Sequence, residues 1–227
     1  GYKMGQMWGY TSHGLFQSDE EAAKANQSFL SGSKWSAGDV KFEDLDDNGK
    51  INNGDNTLAN PGDMRIIGNS TPRYQFGITA GLDWKGIDFE MFWQGVAKRD
   101  IFPGGSQFWG FTDEWQTPQT TATDYWTKDN PNGYLPKLHH YGVGGANRVT
   151  STRYMQNAAY MRLKNVTLGY TLPKSITEKW YITRLRFFVQ AENMLTITKI
   201  KYTDPETLNN MTYPLNKKIS VGVNVTL

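Results

Sequence analysis

The residues with the clearest chemical spacing are Asp44-x-Asp46-x-Asn48-Gly49-Lys50-Ile51-Asn52-x-x-Asp55. Oxygen donors fall at loop positions 1, 3 and 5, glycine at 6 and an acid at 12, the pattern of an EF-hand-type calcium loop. Calcium is a hard ion that wants several oxygens at once. Asp44, Asp46, Asn48 and Asp55 would supply side-chain oxygens, Lys50 its backbone carbonyl, and Asn52 a carbonyl or a water contact. Gly49 would make the sharp turn and Ile51 would anchor the loop by packing. The last acid is Asp, shorter than the usual Glu, and no clear helix precedes the loop. The alternative is an Asp/Asn/Gly-rich turn that holds no metal. A bound ion here would rigidify a loop rather than catalyse.

Other constellations point less sharply. The stretch 98–159 carries Phe102, Phe108, Trp109, Phe111, Trp115, Tyr125, Trp126 and Tyr134. Aromatic faces stack on sugars and also pack against protein partners. Trp109, Trp115 and Trp126 are the candidates for contact with a ligand or partner, against the alternative of a small core within the loop. His139-His140 invites a metal reading, but adjacent histidines point apart and no carboxylate sits at helical spacing, so an ordinary loop is favoured. Asp88 and Glu90 resemble a paired-acid site, yet they lie on the polar side of a strand where solvation suffices. The chain has no cysteine, which excludes disulfides, thiolate metal sites and a cysteine nucleophile. No Ser-His-Asp, phosphate-loop or zinc signature is present, and the expectation is a protein without enzymatic activity. The net charge of +2, with scattered Lys and Arg, argues against nucleic acid as a partner.

The elements that must position these residues are strands. Aromatics make up 14% of the 227 residues and glycines number 23, a composition of strands and turns. Only 19–30 reads as a helix, with Ser18 as N-cap and acids in its first turn. Five segments alternate with period two. In 73–84, Tyr74, Phe76, Ile78, Ala80, Leu82 and Trp84 share one face. In 87–97, Ile87, Phe89, Met91 and Trp93 do so. Val166, Leu168, Tyr170 and Leu172 line one side of 160–172, Leu185, Phe187, Val189 and Ala191 one side of 185–191, and Ile219, Val221, Val223 and Val225 one side of 219–227. The opposite faces are small and polar. The negative mean hydropathy does not argue against a membrane protein, because apolar-out, polar-in alternation averages out.

The connections alternate in length. Lys85-Gly86 is a tight hairpin turn, 98–159 is long, the link opening Pro173-Lys174-Ser175 is shorter, and 196–218 is longer again. Transmembrane barrels alternate in this way, with short periplasmic turns and long extracellular loops. A soluble β-sandwich with exposed aromatics is the alternative. In the barrel reading, 1–72 and 98–159 are extracellular, and Trp84 and Tyr170 lie at the periplasmic interface, with Tyr74 and Trp93 at the outer one. Arg162 and Lys164 share the parity of Val166, which would place them toward lipopolysaccharide phosphates, with a solvated rim as the alternative.

Several stretches resemble the SusC family of TonB-dependent outer-membrane transporters. They include Gly9-Tyr10-Thr11-Ser12-His13-Gly14-Leu15-Phe16-Gln17, Gly38-Asp39-Val40-Lys41-Phe42 with the calcium-type loop after it, and Ile67-Gly68-Asn69-Ser70-Thr71-Pro72-Arg73-Tyr74. Tyr160-Met161-Arg162-Leu163-Lys164-Asn165-Val166-Thr167-Leu168-Gly169-Tyr170-Thr171-Leu172-Pro173, Ala191-Glu192-Asn193-Met194-Leu195-Thr196 and Tyr213-Pro214-Leu215 follow in family order. Leu227 departs from the aromatic residue in which such barrels commonly end. The resemblance implies an all-β fold, the C-terminal strands of a large antiparallel transmembrane β-barrel in the cell outer membrane. On it, 1–72 is an extracellular region holding the calcium-type loop 44–55, 73–97 a hairpin, 98–159 a long extracellular loop and 160–227 the last three strands. It also implies that the chain is a fragment, since such barrels have about 22 strands. The implied function is TonB-dependent import of glycan or peptide nutrients. The implied partners are a SusD-like surface lipoprotein, the TonB system through the missing N-terminal part, and outer-membrane lipid. The competing expectation is a secreted or surface β-sandwich, stabilised by calcium, that binds carbohydrate.

Overall fold

Period-two alternation becomes strands close to the expected bounds in four of the five segments; the fifth, expected over 185–191, runs from Arg184 to Thr198. The structure, a computed structural model, describes residues 2–112, 115–139, 143–208, 213 and 215–227. Its strands are β1 (Gln6–Tyr10), β2 (Ser12–Leu15), β3 (Val40–Phe42), β4 (Met64–Asn69), β5 (Arg73–Trp84), β6 (Ile87–Lys98), β7 (Asp100–Ile101), β8 (Gln156–Asn157), β9 (Tyr160–Thr171), β10 (Arg184–Thr198) and β11 (Lys218–Thr226). They fall into two units, Gly1–Thr71 with Asp100–Asn157, and Pro72–Arg99 with Ala158–Leu227. The two long segments read as separate loops therefore fold with each other.

The second unit is one antiparallel sheet in the order β11-β10-β9-β6-β5. The β5–β6 turn is Lys85-Gly86 with φ of 48° and 86°, the left-handed pair that a two-residue hairpin of matching twist requires. Register carries the apolar sets into rows across all five strands. Leu82, Phe89, Leu168, Val189 and Val221 form one row, and Trp84, Ile87, Tyr170, Phe187 and Val223 the next. This apolar face is open: Leu82 is 64% exposed, Leu168 53% and Val221 77%. A sandwich would bury it. Leaving each such side chain in water forfeits on the order of 1–2 kcal/mol, so the face calls for an apolar surrounding. Among the described residues no helix is long and apolar enough to cross a membrane, which says nothing of strands.

The first unit holds three two-stranded antiparallel sheets, β1-β4, β2-β3 and β7-β8, around a core of Tyr10, Phe16, Val40, Phe42, Phe108, Trp109, Trp126, Leu135 and Tyr154. Its centre is aromatic. The Trp109 and Tyr154 rings lie 4.7 Å apart at 75°, and Phe108 meets Trp109 edge-on at 5.0 Å, the geometry ring quadrupoles favour. The helix expected over 19–30 forms only at Asp19–Lys24. Ser18 caps it by accepting from the Glu21 amide at 3.1 Å, and Glu21 returns the bond from the Gln17 amide at 2.9 Å. It ends early because Gln27 leaves the helical path to bridge the Val40 carbonyl and the Phe42 amide in the core.

Candidate functional site

The calcium-type loop closes on itself in the first unit. Asp44 accepts from the amides of Asn48 (3.2 Å) and Gly49 (2.7 Å), Asp46 accepts from Asn48, and the Asn48 amide oxygen accepts from the Lys50 backbone at 2.9 Å. Ile51 is buried and anchors the loop, as expected. Asn52 turns inward on its own segment, its amide oxygen accepting from Gly54 and its nitrogen reaching the Lys50 carbonyl.

The acids brought together are Asp44, Asp46 and Asp63, with one carboxylate oxygen from each lying within 4.8 Å of the others. Asp55 is elsewhere: its carboxylate accepts from the Asn60 side chain at 2.9 Å. Asp63 is fully buried and accepts from the Leu45 and Asn52 amides, both at 2.7 Å. The chain reaches it by doubling back at Gly54 and Gly62. A Cβ on Gly62 would lie 2.4 Å from the Gly54 nitrogen, so only glycine permits that approach. Spacing rules could not find Asp63; the Pro61-Gly62 turn before β4 is the signal that the segment returns. The Asp63 charge reaches Tyr10, whose hydroxyl is pushed above its ordinary value first by burial and then by Asp63. Three carboxylates converging with loop oxygens suit a hard cation.

Trp109 and Trp126 are not surface platforms. They are 5% and 7% exposed and belong to the aromatic core, Trp126 packing on Gly38. Of the three candidates Trp115, at 88% exposure, is the one at the surface. Sequence could not separate the three, because burial depends on which distant segments fold over each ring. His139 is bound by the buried Asp39, Nε2 to Oδ1 at 2.5 Å, and Asn147 donates to the same oxygen at 2.8 Å. His139 thus serves in a structural network; His140 lies outside the described residues.

On the sheet, Asp88 is ion-paired with Arg186 rather than facing Glu90 as an acid pair. The expectation for Arg162 and Lys164 is corrected by a β-bulge. Phe92 stands opposite Asn165 but Trp93 opposite Leu163, so Lys164 is an extra residue in β9. Its insertion reverses the alternation, and Arg162 lies level with Gln94 and Thr196 on the polar face. There Arg162 is 3% exposed and bonds Glu206 (2.6 Å), Asp204 (2.5 Å) and the Thr196 hydroxyl (2.9 Å), while Lys164 reaches Glu206 at 3.0 Å. These cations are already neutralised within the chain and are not aimed at lipopolysaccharide.

No family model matches the chain. It is 30% identical to the TonB-dependent receptor P3 of Formosa agariphila over 206 residues, 91% of this chain and 19% of that receptor. It is 24% identical to TonB-dependent receptor P26 of the same organism over 77% of this chain and 19% of the receptor. Among solved structures, the RagAB peptide importer in its open-open state superposes with a TM-score of 0.65 at 22% identity, covering 98% of this chain and 22% of that one. The chain thus spans about a fifth of the length of these relatives. They are receptors and importers, not enzymes, and the open five-stranded sheet matches a segment of their barrel fold.

Proposed function

We infer, from the kinship of this chain with the SusC-type TonB-dependent receptors, that it forms part of an outer-membrane β-barrel importing glycan or peptide nutrients. The observation that carries this reading is the open apolar face, in register across five strands, backed by a polar face that holds the Asp88–Arg186 pair. Lipid outside and a polar lumen inside account for both faces at once. Strand β5, twelve residues long, spans an apolar band of about 25 Å when tilted by roughly 40°. The β-sandwich reading would bury Leu82, Leu168 and Val221, which are exposed here.

The partner in this reading is a SusD-like surface lipoprotein, with energy supplied through TonB. Trp115 is the one loop tryptophan of the three that remains a candidate for partner or nutrient contact. Calcium is proposed at Asp44, Asp46, Asn48 and Asp63, with the Lys50 carbonyl, where it would hold the loop that seats Ile51 in the core. The ion would have a structural role and take no part in transport chemistry.

Uptake of labelled oligopeptides and oligosaccharides by cells expressing the full-length protein tests the reading. Uptake should require the intact gene and a maintained proton-motive force. Equal uptake after that force is dissipated would refute active import and leave a passive pore.

A further inference from the structure

The link between β9 and β10 is more than a turn. Residues Lys174–Thr177 form a helical turn that continues into a 3-10 turn at Glu178–Trp180. The segment is held by Ile176 and Thr177 amides on the Pro173 carbonyl (3.0 and 3.4 Å), by Tyr181 on Glu178, and by the Ile182 amide on the Thr177 carbonyl at 3.2 Å. Thr177 is buried at its base. This order is spent on displaying apolar rings and chains: Ile176 is 41% exposed, Trp180 57% and Tyr181 92%. Ile176, Trp180 and Tyr181 thus lie exposed within six residues of one ordered link.

The same end of the sheet carries the row Trp84, Ile87, Tyr170, Phe187 and Val223. Trp84 and Tyr170 are exposed, and the Lys85 ammonium lies 5.1 Å above the Trp84 ring. Lys174 and Lys179 are exposed beside Ile176 and Trp180, with Glu178 the lone acid of the turn. An exposed Trp and Tyr, with lysines around them, at the border of an apolar face match the chemistry of a lipid headgroup layer. Amphipathic rings settle at that level, and each nearby lysine gains from anionic lipid.

We propose that the β9–β10 turn, with Lys85, is an anchor that seats in the headgroup layer and selects anionic phospholipid there. Ile176, Trp180 and Tyr181 enter the layer, and Lys85, Lys174 and Lys179 meet the phosphates. This rests on the membrane reading of the apolar face. It adds that the turn is immersed in lipid headgroups rather than in water.

The test uses the full-length protein in phosphatidylcholine vesicles doped with brominated phosphatidylcholine or brominated phosphatidylglycerol, whose bromines quench tryptophan on contact. The difference in emission between the protein and W180F isolates Trp180, and W84F isolates Trp84. Both lipids should quench Trp180, the glycerol lipid at least roughly twofold more strongly. High salt or K174Q/K179Q should bring that excess down to the phosphatidylcholine level while quenching itself persists. Equal quenching by the two lipids would refute anionic selection. Quenching of Trp84 but not of Trp180 would place the turn in water or against a periplasmic protein and overturn the anchor, with the membrane reading intact. Quenching of neither would bring down the membrane reading itself.

Discussion

Asp88 and Arg186 meet across an intervening strand, because the residue between them on β9 is Gly169. Asp88 is paired with Gly169 in β6-β9 and Gly169 with Phe188 in β9-β10. The Arg186 guanidinium then reaches back over the glycine to both carboxylate oxygens. A Cβ on Gly169 would lie 2.5 Å from each of those oxygens and from the guanidinium Nη2. The pair ties three strands together on the polar face.

Gly169→Val should therefore separate the pair, with a loss of about 1–3 kcal/mol from overpacking and ion-pair disruption. Asp88→Asn should lose less, since the two side chains remain 28% and 15% exposed. Urea midpoints of the folded protein in detergent measure both. A G169V midpoint equal to that of the parent would show that the crossing is not under steric constraint.

A charge on the apolar face should be costly and one on the polar face cheap. Val189→Arg, one row in from that of Trp84 and Tyr170, should destabilise by roughly 1–3 kcal/mol in bilayers. Gln190→Arg, the next residue on the opposite face, should stay near neutral. Equal penalties in lipid vesicles would contradict a lipid-facing assignment of Val189.

The clamp on 204–206 should respond to acid. Burial alone would raise the Asp204 carboxyl, but hydrogen bonds from Arg162 and from the Glu206 and Thr207 amides outweigh it and hold it below its ordinary value. A depressed folded value means that the stabilisation is complete above about pH 4 and is lost as pH falls further, through the lowered value. Hydrogen exchange of the Leu208 amide, which donates to the Asp204 backbone carbonyl in the turn that this carboxyl holds, should be protected at neutral pH and lose protection below that range. Arg162→Ala should abolish protection at every pH.

Calcium titrations by calorimetry separate the two candidate acids. Asp63→Asn should remove binding as fully as Asp44→Asn, whereas Asp55→Asn should leave affinity within a few-fold. Where the ion binds, a hundredfold excess over its dissociation constant should add about 2.7 kcal/mol to stability. An Asp55→Asn variant that loses binding while Asp63→Asn keeps it would restore the plain twelve-residue loop.

Truncating the tryptophans should divide them by burial. Trp109→Ala should cost about 3–5 kcal/mol, as a core ring, and Trp115→Ala less than about 0.5 kcal/mol. Thermal unfolding of the two variants makes the comparison.

What the sequence by itself determined is the local part. Alternation placed β5 at its observed bounds and β6, β9 and β11 within a residue or so, because side chains that alternate in a strand need no knowledge of the partner. The Ser18 cap and the Lys85-Gly86 turn were legible for the same reason: each is settled within a few residues. The resemblance in motif order likewise pointed to the barrel relatives. Tertiary structure decided whatever depends on residues far apart in the chain. One extra residue at Lys164 turned Arg162 from the apolar to the polar face, and a bulge is a property of two strands in register. Asp63 replaced Asp55 beside Asp44 and Asp46 because the chain doubles back at Gly54 and Gly62. Trp109 and Trp126 went inside because 1–71 and 100–157 fold on each other, and an aromatic ring in a sequence carries no mark of what will cover it.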